Sequence, residues 1–538
     1  MTALPTADCH PITVAPGLSR LFLDFWAGAP AARPFYASAP SGSAWQTLGS
    51  VPAHRAEVVE ILAEQNPHSS AMDAIAALRA GAGTVVTGQQ VGLFGGPLYT
   101  PFKAATALAR ARQATSAGHP HVAIFWLAGE DHDFAEIDHV IFPARRELRT
   151  ITYSHFPNSA APVGGIVIDD SIQPLLDAAG ELLGWSGALE ALTAAYRPGR
   201  TFAQAFAHFY SSVFAAQGLL IFDASGNAAH RLGAPVLQAA LQRADELHAA
   251  LEARDRGLIA AGYHAQVAVA GQSSLLFLTD PKSGARLALK RMPRSAAEPN
   301  GLWQAGRERY STADLTGILA SEPERISPSA LLRPVFQDYL LGTSLVIGGP
   351  AEIAYFAQSA VLYQAILGRI TPVGPRFSAT LIEPEIAELL ARHELTLERV
   401  FADTEDSLAQ FLAARAIPIE GKRKLASAGN ALDAELTELV GWMETMDEGL
   451  GRSARTSASK MRYQMNRMRR MAANFQMQKE ASLLRHAQAI TQALFPGGHL
   501  QERVHGAAWY FARHGFELAE TLVQHAADSC PGHTALRL

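Results

Sequence analysis

The apolar positions of the chain fall into three regimes. Residues 1 to about 80 mix irregular stretches with helix-like spacing at Ala56, Val59, Ile61 and Leu62. Beyond that, apolar residues gather into short continuous runs. Thr84–Val86 and Val122–Leu127 are uninterrupted, the pattern of strands buried on both faces. The Ala-rich stretch Pro101 to Ala117 between them favours helix. Strand, helix and strand in succession predict a βαβ unit with a right-handed crossover. Further strand-like pieces lie at Val140–Phe142, Thr150–Tyr153 and Gly165–Ile168. Helices are expected through much of 171–250, interrupted by Leu219-Leu-Ile-Phe-Asp223, a short buried strand ending in an acid. Residues 262–293 read as antiparallel strands at His264–Val269, Leu275–Leu278 and Arg286–Leu289. The turn Asp280-Pro-Lys-Ser-Gly284 joins the last two. A second βα region at 331–383 contains Ser344-Leu-Val-Ile-Gly-Gly-Pro350.

After about residue 385 the period changes. Leu432, Leu436, Leu439, Met443, Met446 and Leu450 alternate spacings of four and three, and Met461, Met465, Met468, Ala472 and Phe475 repeat the pattern. This is a heptad seam. Gly449 and Gly451 predict a break between the runs. Two long helices folded into an antiparallel hairpin are therefore expected over 422–490. Two helices alone bury few apolar faces, so the seam serves either internal packing or a dimer arm.

The strand ends carry the candidate chemistry. Carboxyl ends of parallel strands line ligand crevices, and a buried strand needs neither Gln-Gln nor Glu-Asp-His-Asp at its tip for stability. The first tip opens Thr87-Gly-Gln-Gln-Val-Gly-Leu-Phe-Gly-Gly-Pro-Leu-Tyr-Thr-Pro-Phe-Lys103. Gly88, Gly92, Gly95 and Gly96 allow tight turns and close ligand approach. Thr100-Pro101 reads as an N-cap followed by Pro at the first helical position. A helix start beside such a turn offers N–H groups to a phosphate or carboxylate. Thr87, Gln89, Gln90 and Tyr99 are further candidate contacts. Lys103 in the first turn opposes the helix dipole unless an anion compensates; the alternative is a solvated lysine beside a plain turn.

The second tip is Gly129-Glu-Asp-His-Asp133. Acids surround His132, an arrangement suited to proton transfer. Glu130, Asp131, His132 and Asp133 are the catalytic candidates. A helix starting near Asp133 would put His132, Glu136 and His139 on one face, a spacing that also suits a metal, and capping carboxylates are a third reading. No metal site is assigned. In the third constellation Arg333 either clamps a carboxylate or makes an ordinary ion pair. Gly348-Gly-Pro350 resembles a strand-to-helix turn, and Glu352 sits in a first turn that favours acids anyway.

Composition narrows the class. With 538 residues, 48% of them hydrophobic and 18% charged, the chain is a folded protein of several domain-sized units. A net charge of -5 gives no reason to expect nucleic acid. Cys9 and Cys530 form no CxxC, zinc spacing or disulfide framework, which points to a reducing compartment. The first twenty residues lack a basic segment followed by an apolar core, and no apolar run approaches the roughly 18 residues of a membrane span. The expected location is the cytoplasm.

These stretches also resemble one family. Thr87-Gly-Gln-Gln-x-Gly-Leu-Phe-x-Gly-Pro-Leu-Tyr-Thr-x-x-Lys103 and Phe125-Trp-x-Ala-Gly-Glu-Asp-His-Asp-Phe134 are similar to the cysteine ligases of bacillithiol biosynthesis, the BshC family. So are Arg333-Pro-x-x-Gln-Asp-Tyr-Leu-Leu341, Ile347-Gly-Gly-Pro-x-Glu-Ile-Ala-Tyr355, Pro375-Arg-x-Ser378 and Leu494-Phe-Pro-x-Gly-x-Leu-Gln-Glu-Arg503. The matches run in order from about residue 85 to 505. The resemblance adds Gln337, Gly348, Gly349, Tyr355, Arg376 and Ser378 as candidate substrate- or nucleotide-binding residues. It implies an α/β fold: a Rossmann-like parallel-sheet core akin to nucleotidylyl transferases, inserted connecting segments and a C-terminal α-helical coiled coil used for homodimerisation. On this chain that reads as a core over 1–385 with insertions at about 140–330, a coiled coil over 386–495, and a segment over 496–538 returning to the core. The implied reaction joins L-cysteine to the amine of glucosaminyl malate, with ATP or another nucleotide as candidate activating donor. One departure stands out. Nucleotidylyl transferases of that core type carry His-x-Gly-His near the first helix, where this chain has Gly95-Gly-Pro-Leu98. The activating donor therefore stays open. A nucleotidylyl transferase acting on another small substrate and a non-catalytic coiled-coil scaffold are the competing readings.

Overall fold

The computed structural model describes residues 5–39, 42–47, 51–145, 147–155, 160–269, 271, 273–292, 302–528 and 530–538. The chain divides into two compact units. The larger comprises residues 1–144, 148–379 and 502–534, and the smaller 145–147, 380–501 and 535–538.

Three apolar runs supply strands of the core sheet in the larger unit: β1 (Gly83–Gln89), β2 (His121–Leu127) and β3 (Leu220–Asp223). A connecting region follows with β4 (Ser273–Thr279), β5 (Arg286–Arg291), β6 (Leu302–Ala305), β7 (Glu308–Ser311) and β8 (Ile326–Pro328). The chain then forms β9 (Thr343–Gly348) and β10 (Val373–Pro375). The core sheet has the order β10-β9-β1-β2-β3, with all neighbours parallel. It runs outward from β1 to β3, then returns to lay β9 against the other side of β1. That reversal is a topological switch point, where a crevice opens at the carboxyl ends of the strands. Right-handed crossovers running in opposite directions send α1 (Tyr99–Ser116), which follows β1, and α4 (Pro350–Leu367), which follows β9, to opposite faces. The alternation of β2 shows the two cores. Phe125 packs against Phe206 and Tyr210, whereas Trp126 packs against Phe222 and Phe336.

The base of β9 is pinned by a buried acid. Asp338, near the end of α3 (Arg333–Leu341), accepts from the Thr343 N–H at 2.6 Å and from Arg369 at 2.6 Å. Burial pushes this carboxyl up, and Arg369 and Thr371 oppose the shift.

The connecting strands form a separate antiparallel sheet, order β7-β6-β5-β4-β8. The predicted β4–β5 turn forms as its residues require. Asp280 accepts from the N–H groups of Lys282 and Ser283, and Gly284 takes φ +70°. Two expected strands are absent. At His264–Val269 the Gln358 side-chain amide accepts from Val267 N–H and donates to its carbonyl, standing in for a strand partner. Gly165–Ile168 bonds to the loop at 199–202 and makes only an isolated bridge, Val167 to Thr201.

The cysteine reading also needs correction. Cys9 and Cys530 form a disulfide across 521 residues, with Cα atoms 5.6 Å apart. Their distance in sequence gave no sign that both segments fold into the same unit. Among the described residues no helix is long and apolar enough to cross a membrane.

In the smaller unit, α5 (Ile419–Met446) and α6 (Glu448–Lys479) form the antiparallel hairpin. Arg462 pairs with Asp433 at 2.7 Å and Arg455 pairs with Glu444 nearer the tip. The break falls at Asp447, whose carboxylate caps α6 through Leu450 N–H at 2.9 Å. Gly449 and Gly451 lie inside α6 and do not break it. Gly451 serves close approach instead, since a Cβ there would come within 2.4 Å of the Glu444 side chain. The predicted seam splits in two. Leu436 and Met465 are buried in the hairpin, whereas Leu439, Met446, Leu450, Met461, Met468 and Phe475 face solvent.

The disulfide sets a prediction for the fold. Denatured without reductant, the protein should take up no thiol-alkylating reagent, and two equivalents after reduction. Reduction should cost about 2–4 kcal/mol of stability, read as a fall in Tm that Cys9→Ala does not show. Two alkylated thiols without reductant would refute the pairing.

Candidate active site

A cavity of about 670 Å³ opens at the carboxyl ends of the core strands, with Phe277, Arg286 and Pro328 of the antiparallel sheet also lining it. Of the residues singled out from the sequence, Gly88, Gln89, Gln90, Tyr99, Lys103, Glu130, Asp131, His132, Glu136, Arg333, Gly349, Glu352, Tyr355 and Arg376 face it.

At the tip of β1, Gly88 is required by packing, because a Cβ would lie 2.8 Å from the Trp126 carbonyl oxygen. Lys103 on α1 reaches back to this tip. Its Nζ donates to Gly88 O at 2.9 Å and Gln89 Oε1 at 2.7 Å, and it pairs with Glu352 Oε2 at 2.5 Å. Burial pushes Lys103 down, and Glu352 opposes that shift. The anion expected beside Lys103 is thus supplied by the protein. Glu352 also accepts from Gly349 N–H at 2.7 Å, closing the first turn of α4, where Pro350 takes the first position.

The glycine turn departs from expectation. Gly92, Gly95 and Gly96 are buried away from the cavity. Tyr196 Oη donates to Gly92 O and accepts from Gly95 N–H, and Tyr210 Oη donates to Gly95 O at 2.7 Å. A Cβ on Gly95 would meet the Phe209 ring at 2.6 Å. Gly95 admits an aromatic ring, and this turn's backbone is taken up by tyrosine hydroxyls. Likewise α1 begins at Tyr99 with Leu98 as its N-cap, so Thr100 is helical and not the cap.

At the tip of β2, Glu130 Oε1 lies 2.8 Å from His230 Nε2. Asp131 accepts from Gln90 Nε2 at 2.9 Å and from His132 N–H at 2.8 Å. His132 Nδ1 is 3.4 Å from Arg286 Nη1 and 3.8 Å from Asp131 Oδ1. Asp133, one of the four catalytic candidates, is exposed and outside the cavity; Asp131 is the acid beside the ring. No α-helix follows Asp133. A 3₁₀ turn at Phe134–Glu136 leads into a strand beginning at His139, so His132, Glu136 and His139 share no helical face. Among the described residues no three His, Cys, Asp or Glu side chains gather as a metal site.

Four other candidates lie outside the cavity. Thr87 donates to Ile347 O at 3.0 Å, tying β1 to β9, and Gln337 and Gly348 are buried. Ser378 is buried against His533 Nδ1 at 2.8 Å. Burial lowers the His533 imidazole to about 4, so it packs as a neutral ring.

Cations converge on the remaining wall. Arg376 makes a two-pronged ion pair with Glu502, both side chains buried. Burial alone would raise the Glu502 carboxyl, but the guanidinium outweighs it and holds the carboxyl below its usual range. Burial raises the Tyr99 hydroxyl to about 12 and keeps it a neutral donor and acceptor. Arg333 donates to Tyr355 Oη at 2.9 Å. Arg286 donates to Ser327 Oγ and Pro328 O, and its guanidinium lies 3.8 Å over the Phe277 ring. Neither Arg286 nor Arg333 has a carboxylate at ion-pair distance among the described residues. Two guanidiniums not engaged in ion pairs can hold carboxylates or phosphates of a ligand. Arg286, Arg503 and His230 were not picked out from the sequence. Arg503 stood inside a recognised stretch, whereas the other two depend on long-range contacts that no local pattern marks.

Removing one partner of a buried ion pair strands the other charge. Glu502→Gln should therefore cost about 3–5 kcal/mol at neutral pH. The folded carboxyl is held below its unfolded value, so this stability is present above about pH 4.3 and is lost as pH falls through the folded value. The Tm gap between wild type and variant should shrink on acidification; a gap that stays constant from pH 7 to pH 3 would contradict the pairing.

Residues 7–377 match the N-terminal Rossmann-like domain of bacillithiol biosynthesis BshC, and residues 379–538 match its C-terminal coiled-coil domain. Relatives named "Putative cysteine ligase BshC" align along most of the chain. The protein of Koribacter versatilis is 38% identical over 540 residues, 99% of each chain. That of Solibacter usitatus is 35% identical over 496 residues, 90% of each. That of Symbiobacterium thermophilum is 32% identical over 458 residues, 81% of each. With both domains matched and a relative aligned end to end, the chain belongs to the bacillithiol biosynthesis BshC family.

Proposed function

We propose that this enzyme joins L-cysteine to the amine of glucosaminyl malate, forming the amide of bacillithiol in the cytoplasm. The observation that carries the reading is the pairing, in one switch-point cavity, of an acid–histidine cluster with two guanidiniums that have no carboxylate at ion-pair distance among the described residues. Amide formation needs an amine that loses protons as it attacks, and a group to take them. Glu130, Asp131 and His132 supply acceptors at the tip of β2. Both proposed substrates carry carboxylates, and Arg286 and Arg333 are suited to hold them. The cysteine carboxylate must be activated first, and a nucleotide, ATP or another, is the proposed donor. The names borne by the relatives support the same reaction.

His132 is assigned as the proton acceptor, with Glu130 as a contact to the amine. In the smaller unit, the exposed stripe of Leu439, Met446, Leu450, Met461, Met468 and Phe475 is assigned as the contact with a second copy of the chain. A heptad stripe left in water by one hairpin is matched by an identical stripe in antiparallel register.

Mass spectrometry of purified protein with cysteine, glucosaminyl malate and candidate nucleotides tests the reaction, and absence of the amide product with every donor would reject it. His132→Asn should lower kcat about 10²-fold, with calorimetric affinity for glucosaminyl malate little changed. Full turnover and an unaltered pH profile would remove His132 from the chemistry. Met468→Glu should weaken self-association while leaving the monomer folded, because Met468 faces solvent within one chain. Light scattering that finds the wild type monomeric at micromolar concentration would refute the dimer.

A further inference from the structure

We infer that His230 is a positioning residue: it holds one oxygen of the Glu130 carboxylate and leaves the other facing the amine-bearing substrate. The inference rests on the reaction proposed above and assigns a task to a side chain outside the cavity wall. His230 lies in the first turns of α2 (Asn227–Gln242), the helix that follows β3. Its ring is fully buried and its Nε2 is 2.8 Å from Glu130 Oε1. The ring is also fixed from behind. It packs 5.3 Å from the centroid of Phe336, and Gly233 exists to admit that ring, since a Cβ there would lie 2.1 Å from Phe336 Cε2. Phe336 belongs to α3, the helix that begins with Arg333. Glu130 itself is 16% exposed and lines the cavity, and among the described residues His230 is its sole hydrogen-bond partner.

A titratable ring is a costly filler for an apolar position unless its charge or donor is used. Three acids face it: Glu130 from the tip of β2, Asp223 from the end of β3 and Glu324 from the 3₁₀ turn Pro323–Arg325. Arg286 also interacts electrostatically with Glu130. Burial works against the charged ring, but Glu130 and Glu324 outweigh it and raise the imidazole above its ordinary value. An imidazolium braced by packing fixes the carboxylate rotamer more firmly than water would, and a fixed acceptor spares the reaction the cost of orienting it.

Full-length protein carrying His230→Gln or His230→Leu tests this. Gln keeps an N–H donor near Nε2 without the charge; Leu keeps bulk and removes the donor. His230→Leu should lower kcat by about 10-fold or more while KM for glucosaminyl malate stays within about 2-fold, and His230→Gln should recover most of the loss. The wild-type kcat should decline as pH rises through the raised imidazole value, and His230→Gln should lack that limb. Turnover at the wild-type rate in His230→Leu, or equal losses in both variants, would overturn the inference. A second measurement does not need turnover. Nitrogen-15 NMR of the His230 ring should show it titrating at higher pH in the wild type than in Glu130→Gln. Equal titration would overturn the pairing even if the ligase reaction is confirmed. A higher titration in a wild type that makes no bacillithiol would instead reject the reaction and leave the pairing standing.

Discussion

The link between Lys103 and Glu352 is the constraint around which the rest is arranged. A parallel sheet that reverses its winding must part at the reversal, because its helices leave for opposite faces. The parting exposes strand-end carbonyls and helix-start N–H groups at one spot. Here Lys103 comes from the helix after β1 and Glu352 from the helix after β9, so one ion pair spans the parting. The lysine also takes the carbonyl at the β1 tip, and the glutamate closes its own helix start. The cavity floor is therefore rigid before any ligand arrives. Its reactive edge is displaced to the neighbouring tip, where Glu130, Asp131 and His132 project.

Much of this was legible because it is local. Continuous β-branched and apolar runs gave the core strands, and the Gly-Gly-Pro at 348–350 gave a helix start that formed as its residues require. Polar tips on apolar strands drew attention to the residues that line the cavity. The heptad period gave the hairpin. Several misreadings share one cause: a local signal served a partner outside its own element. Gly92, Gly95 and Gly96 looked like a ligand turn, yet Gly95 makes room for the Phe209 ring, and the Gly92 and Gly95 backbone groups bond to Tyr196 and Tyr210, more than a hundred residues away. Gly451 looked like a helix break, yet it lets α6 approach Glu444. At 264–269 a strand-like run found a glutamine side chain instead of a strand. Arg286 and the Cys9–Cys530 bond could not be read at all, because neither has a meaning until the chain has folded.

The charges are distributed by the same logic. Some charges are satisfied within the protein, as with Asp338 and Arg369 at the base of β9 or Arg376 and Glu502 at the cavity wall. Others at the same cavity have no carboxylate at ion-pair distance among the described residues, as with Arg286 and Arg333. A frame that satisfies its own charges keeps its shape when a charged ligand enters, and the unmatched groups are then the ones that bind.

The larger unit is assembled from three stretches of chain, and the last of them brings Glu502 to Arg376 from 126 residues further on. During synthesis Arg376 therefore leaves the ribosome long before its counter-charge. At ordinary elongation rates the wait is about 6–25 s. Throughout that interval the hairpin is being made while the wall of the cavity is one acid short. This corner of the core goes without that counter-charge until residues 502–534 arrive. The cavity is thus among the last features of the protein to exist, although β1 and β2, which build its floor, are among the first strands made.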